Sequence, residues 1–232
     1  MVQAPRRTPL TGPTLVRLLA RFVQADLRQP AAPLSDRLSE WVGWTDAITL
    51  SGVLKAAAPV GASVAPAAAG DDAQAASERV RAALTRAIAA ATRPPPTRAA
   101  LHATPAEAPA DYADYADFRQ RYQLLQQTME TDVGDLRQRL RATLAAAAPG
   151  LARLAGVDAV MERALAARER ALLASVPALL GAHFERLRGA HPDAPANAWL
   201  PTFRHDMHSV LLAELEVRLQ PVEGLLAALR AR

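Results

Sequence analysis

The stretch Asp111–Ala148 reads DYADYADFRQRYQLLQQTMETDVGDLRQRLRATLAAAA, and its spacing decides the fold. Its apolar residues fall in triplets: Phe118, Tyr122, Leu125; then Met129, Val133, Leu136; then Leu140, Leu144, Ala147. Each triplet is the previous one moved on by about eleven residues, the period of a nearly straight or slightly right-handed helical seam. The spacing predicts one helix to Ala148, about 55 Å long at 1.5 Å per residue. Asp111 or Asp114 would cap it, with Asp117 also near the positive end of its dipole.

Pro149-Gly150 stops this helix, and so short a connection allows only a tight reversal. A second helix is therefore expected to return antiparallel from Leu151 to about Ala190. Its expected seam is Met161, Leu165, Leu172, Val176, Leu179, His183, Leu187 and Ala190, with Pro177 kinking or breaking it. A third helix is expected over Ala198–Leu219, with Pro201 in its first turn and Phe203, Met207, Val210, Leu211, Glu214 and Val217 spaced helically. Pro221 is expected to interrupt it before a terminal amphipathic turn carrying Val222, Leu225, Leu226 and Leu229.

Composition agrees with helix on helix. Alanine makes up nearly a quarter of the chain and aromatics only 4%. Alanine has the highest helix propensity and allows helix axes to approach closely. No run alternates apolar and polar residues as a strand would. The expected class is all-α: an elongated bundle of long antiparallel helices with coiled-coil-like packing, plus a small N-terminal helical unit.

The expected divisions are residues 1–56 as that N-terminal unit, 57–110 as Pro- and Ala-rich linkers flanking one helix at 74–92, and 111–232 as the long-helix domain. In the first unit a helix from Thr11 or Thr14 to about Leu27 would bury Leu15, Leu18, Leu19, Phe22 and Val23. Ser35 would cap a short helix through Trp41, and Thr45 another to about Ala57. Trp41 and Trp44, around Gly43, read as the anchor that staples these helices onto the bundle, because Trp supplies the largest area to bury. The helix at 74–92 would bury Val80, Leu84, Ala87 and Ile88.

The same composition excludes much chemistry. There is no cysteine, hence no disulfide, thiol nucleophile or thiolate metal site. Lys55 is the sole lysine, and no Gly-x-x-x-x-Gly-Lys-Ser/Thr segment exists to cradle phosphates. No Gly-x-Ser-x-Gly elbow is present. His205 and His208 share a helix face, but a third ligand at defined spacing is missing; His183 reads as a satisfied core histidine. No catalytic, cofactor or metal residue is assigned, and the expectation is a protein that is not an enzyme. No segment approaches the roughly 20 apolar residues of a membrane span. Arg17 and Arg21 interrupt any secretory h-region, so the expected location is the cytoplasm.

Net charge is only +4, and the high pI of 10.2 follows from a small arginine excess with little else titrating above neutrality. The N-terminus is locally different. Arg6, Arg7, Arg17, Arg21 and Arg28 stand against Asp26 alone. These five arginines are the candidate contacts to nucleic acid or to an acidic partner.

Several segments carry a family resemblance: Arg7-Thr8-Pro9-Leu10-Thr11-Gly12, Trp41-Val42-Gly43-Trp44-Thr45-Asp46, Phe118-Arg119-Gln120-Arg121-Tyr122, Val157 through Leu165, His183-Phe184-Glu185-Arg186-Leu187, and Gln220 through Arg230. With them the chain resembles a proteobacterial family that looks like one of the two cytoplasmic accessory proteins of type III Zorya anti-phage systems. The resemblance implies a place downstream of a proton-driven, motor-like membrane complex and a second accessory protein as partner. It supplies no catalytic residues. The expected function is a non-enzymatic adaptor or scaffold, with sequence-independent DNA binding through the N-terminal arginines as the alternative. Whether the seams close within one chain or in a homodimer stays open at the level of sequence.

Overall fold

A computed structural model describes residues 13–23, 34–55, 68–94, 114–190 and 197–231. Among these residues eight helices follow in order: α1 (Thr14–Val23), α2 (Leu34–Trp41), α3 (Trp44–Lys55), α4 (Ala68–Thr92), α5 (Tyr115–Ala147), α6 (Pro149–Leu173), α7 (Val176–Ala190) and α8 (Leu200–Arg230). Among the described residues there is no strand, so the all-α class holds.

Helix α5 follows its sequence closely. Asp114 is the N-cap, its carboxylate accepting from the Ala116 amide at 2.9 Å. All nine expected seam residues, Phe118 through Ala147, are buried. Ala148 alone makes the reversal, in extended backbone, and Pro149 opens α6 where a missing N–H costs nothing. The return path is antiparallel: Arg137 reaches Asp158, and Gln126 donates to the Leu173 carbonyl at 2.9 Å.

That return differs from expectation. The break lies at Ala174-Ser175, ahead of Pro177, and Pro177 sits harmlessly in the first turn of α7. The last turn of α6 closes on itself, the Ser175 hydroxyl donating to the Leu172 carbonyl at 2.6 Å. The inward residues are Ala155, Val160, Leu173, Val176, Leu180, His183 and Phe184. Leu172, expected in the seam, is 62% exposed, and Ala190 is exposed as well. At Leu172-Leu173 the pattern offers two adjacent leucines, and the turn onto α7 selects the second.

Helix α8 occupies the centre, packed against α1, α4, α5, α6 and α7. Pro221 does not interrupt it; the helix runs on to Arg230 with Val222, Leu225, Leu226 and Leu229 buried. Loss of one backbone bond at Pro221 is outweighed by the apolar residues on both sides, Leu219 and Val222, neither of them exposed at all.

Helix α4 begins earlier than expected, at Ala68, and lies against α5 and α8 with Leu84 and Ile88 fully buried. Helix α1 docks on α7 and α8 through Leu15, Ala20 and Phe22, while Val23, expected inside, is 48% exposed. Much of the core between α5, α7 and α8 is aromatic. Phe184 meets Phe203 edge-on at 5.0 Å and Trp199 at 4.7 Å, with Phe118 5.2 Å from Phe203. Offset and edge-to-face pairs of this kind add to simple area burial.

Helix α3 lies along α6. Val53 sits so close to Gly156 that a β-carbon there would lie 2.8 Å from Val53 Cγ1. Gly156→Val is expected to wedge α3 outward at about 1–3 kcal/mol. Hydrogen exchange should then quicken in α3 while α5 and α8 keep their protection; equal exchange in α3 would show that the contact carries no weight.

Candidate partner-binding surface

Helix α3 carries apolar residues on two sides, Leu50 and Val53 on one and Trp44 and Ile48 on the other, with Ala47 and Leu54 between them and Thr45, Thr49 and Gly52 filling the remaining sector. A helix with two apolar sides ordinarily has both of them covered. Here one side is covered. Val53 rests on Gly156, Asp46 pairs with Arg163 at 3.7 Å, and Leu50 is half-buried. The other side is open, with Trp44 at 82%, Ile48 at 56% and Leu54 at 52% exposure. Trp44 and Ile48 stand four residues apart and so share a face.

Trp44 therefore does not anchor the small helices, contrary to the sequence expectation. Trp41 takes part of that role, its ring lying under the Arg168 guanidinium at 4.7 Å. Glycine at 156 removes the bulk that would hold α3 away from α6, so Val53 makes the contact expected of a tryptophan. Trp44 is left over, a large apolar ring in water.

The N-terminal arginines divide. Arg6, Arg7 and Arg28 lie outside the described residues. Arg17 and Arg21 lie on the exposed side of α1. Arg17 donates to the Thr14 hydroxyl at 3.2 Å. Arg21 lies 3.7 Å from Asp206 of α8 and over the Phe22 ring. Asp206 in turn holds His183 Nε2 at 2.7 Å, and the His183 ring stacks on Phe22 at 4.2 Å. Arg21 is thus part of the docking of α1, an engagement invisible in the local charge count.

Candidate metal chemistry disperses on the structure. His205 is exposed, whereas His208 turns to the Thr92 hydroxyl at 3.1 Å and Asp206 to His183. Among the described residues no group of three metal-ligating side chains forms.

Two polar networks hold helices together. In the core, Glu214 is wholly buried and accepts from Tyr122 Oη at 2.7 Å, from Gln126, and from Arg218 at 2.9 and 3.1 Å. Burial, and then the Glu214 charge, push the Tyr122 phenol well above its ordinary pKa, so it stays a hydrogen-bond donor. Between α5 and α6, Arg137 grips Asp158 with two bonds of 2.7 and 2.8 Å, and Arg141 bridges Asp158 and Glu162. Burial alone would lower the Arg141 pKa, but the two carboxylates outweigh it and raise it. Both networks are satisfied internally and serve as structural joints. The Glu214 site was hinted at by an acid standing in an apolar stripe with Arg218 four residues on; its partners on α5, Tyr122 and Gln126, were not.

No helix among the described residues is long and apolar enough to cross a membrane. The family described as "Protein of unknown function (DUF3348)" matches residues 1–231. No curated protein matches the chain, and no solved structure does.

Proposed function

We propose that this chain, which belongs to the DUF3348 family, is a non-enzymatic adaptor that assembles with a protein partner through the open face of α3. The observation that carries the reading is the exposure of Trp44, Ile48 and Leu54 on a helix whose other apolar side is already packed on α6. Trp is the residue type most often found at the energetic centre of protein interfaces. The resemblance to accessory proteins of type III Zorya systems supplies the partner: the second cytoplasmic accessory protein, within an anti-phage defence system downstream of a motor-like membrane complex.

Co-expression with that accessory protein tests the proposal. The wild type is expected to co-purify with it, and Trp44→Glu with Ile48→Glu is expected to weaken the complex at least a hundredfold. Because both positions face water, the doubly substituted protein should melt within about 2 °C of the wild type. Retention of the partner by the double variant would remove α3 from the interface. No association in the wild type would overturn the adaptor reading.

A second reading, sequence-independent DNA binding, draws on the exposed arginines of α1. Arg17 is free to reach a phosphate, whereas Arg21 would have to leave Asp206. A gel shift with salt titration separates the two readings, since phosphate contacts weaken steeply with salt.

A further inference from the structure

Arginines joining two helices characteristically face a carboxylate, among them Arg81, Arg137, Arg141 and Arg163. Arg121 of α5 and Arg204 of α8 depart from this. Their guanidinium carbons lie at the same distance, 5.9 Å, from the centroid of one ring, the buried Phe118. Both side chains are half-buried, and among the described residues neither forms an ion pair. Two like charges are thus gathered around a single aromatic ring with no acid between them. Burial first, and then Arg121, depress the pKa of Arg204 below its ordinary value.

A folded chain gains little from holding two partly desolvated cations together, and the π-face of Phe118 offsets only part of the repulsion. What such a pair suits is an external dianion. A guanidinium presents a planar fork of donors that matches phosphate oxygens, and a phosphate group would neutralise both forks at once. The attachment is rigid. Phe118 sits on α5 and packs against Phe203, the residue next to Arg204, at 5.2 Å. The backbones that carry the two arginines are thereby held together by packed helices before any ligand arrives.

We infer that Arg121 and Arg204, gathered at Phe118, form a binding site for a phosphate group, carried either by a nucleic-acid backbone or by a small phosphate compound. The site is separate from the open face of α3 and does not depend on the adaptor reading. It also differs from the N-terminal arginines in standing on the long helices of the bundle.

The test uses the full chain with three probes at low salt: inorganic phosphate, pyrophosphate, and a fluorescein-labelled single-stranded oligonucleotide. Thermal melts at matched ionic strength read the first two, and fluorescence anisotropy reads the third. The wild type is expected to respond to at least one of them. Arg121→Gln with Arg204→Gln should lower that affinity at least tenfold. Arg204→Lys, which keeps the charge but loses the fork, should fall between. Response to pyrophosphate alone identifies a small phosphate ligand. Oligonucleotide binding whose salt slope drops by about one to two in the double variant identifies a nucleic-acid backbone. Circular dichroism of each variant verifies that it is folded. Silence of the wild type toward all three probes overturns the inference, and so does unchanged affinity in Arg204→Lys together with the double variant.

Discussion

Arg218→Met is expected to destabilise the protein by about 3–5 kcal/mol, because it strands a carboxylate in the core. Glu214 is fully enclosed, and among the described residues Arg218 alone supplies a cation to it, through two hydrogen bonds to one oxygen. Tyr122 and Gln126 would remain as neutral donors, which do not balance a buried charge. The loss is large against a typical total of about 5–15 kcal/mol. Removing both charges, as Glu214→Met with Arg218→Met, should recover most of it, since a well-packed apolar pair often equals a buried ion pair. Urea denaturation of the two single variants and the double gives the coupling directly. A loss below about 1 kcal/mol in Arg218→Met would mean that solvent reaches Glu214 in the folded protein.

The second large effect is a contrast between two leucines. Leu136→Asp should unfold the protein or leave it aggregated, since Leu136 is 1% exposed and an unpaired carboxylate there costs several kcal/mol. Leu172→Asp should leave the melting temperature within about 2 °C, because that side chain already faces water at 62% exposure. From the sequence alone both substitutions would have been expected to be ruinous. A marked drop for Leu172→Asp would place Leu172 in a contact between molecules.

The contrast shows where sequence suffices. In α5 every seam residue was legible because apolar and charged residues alternate sharply, so only one face can turn inward. In α6 apolar residues and alanines are spread more evenly, and the choice between Leu172 and Leu173 depends on how the chain enters α7. Pro221 misled for a related reason: local propensity predicts a stop, but the core on either side overrides it. The candidate surface was the least legible part. Trp41 and Trp44 look alike in sequence, and only the narrow approach at Gly156 decides that Val53 packs while Trp44 stays outside. The Arg121–Arg204 pair joins residues from two helices through Phe118, so no local pattern could have announced it.

The central place of α8 bears on the order in which the chain is made. Helices α1, α4, α5 and α7 all rest on an element that begins only at Leu200. At about 5–20 residues per second, α4 leaves the ribosome roughly 5–20 seconds before α8 follows it. During that interval α4, α5 and α6 can already pack on one another, but the faces that α1, α4, α5 and α7 turn toward α8 lack their native cover. Newborn chains are accordingly most prone to stick to one another before α8 has followed the earlier helices. A premature stop just ahead of Leu200 would release a product with the apolar faces that meet α8 uncovered, a substrate for chaperones and proteases.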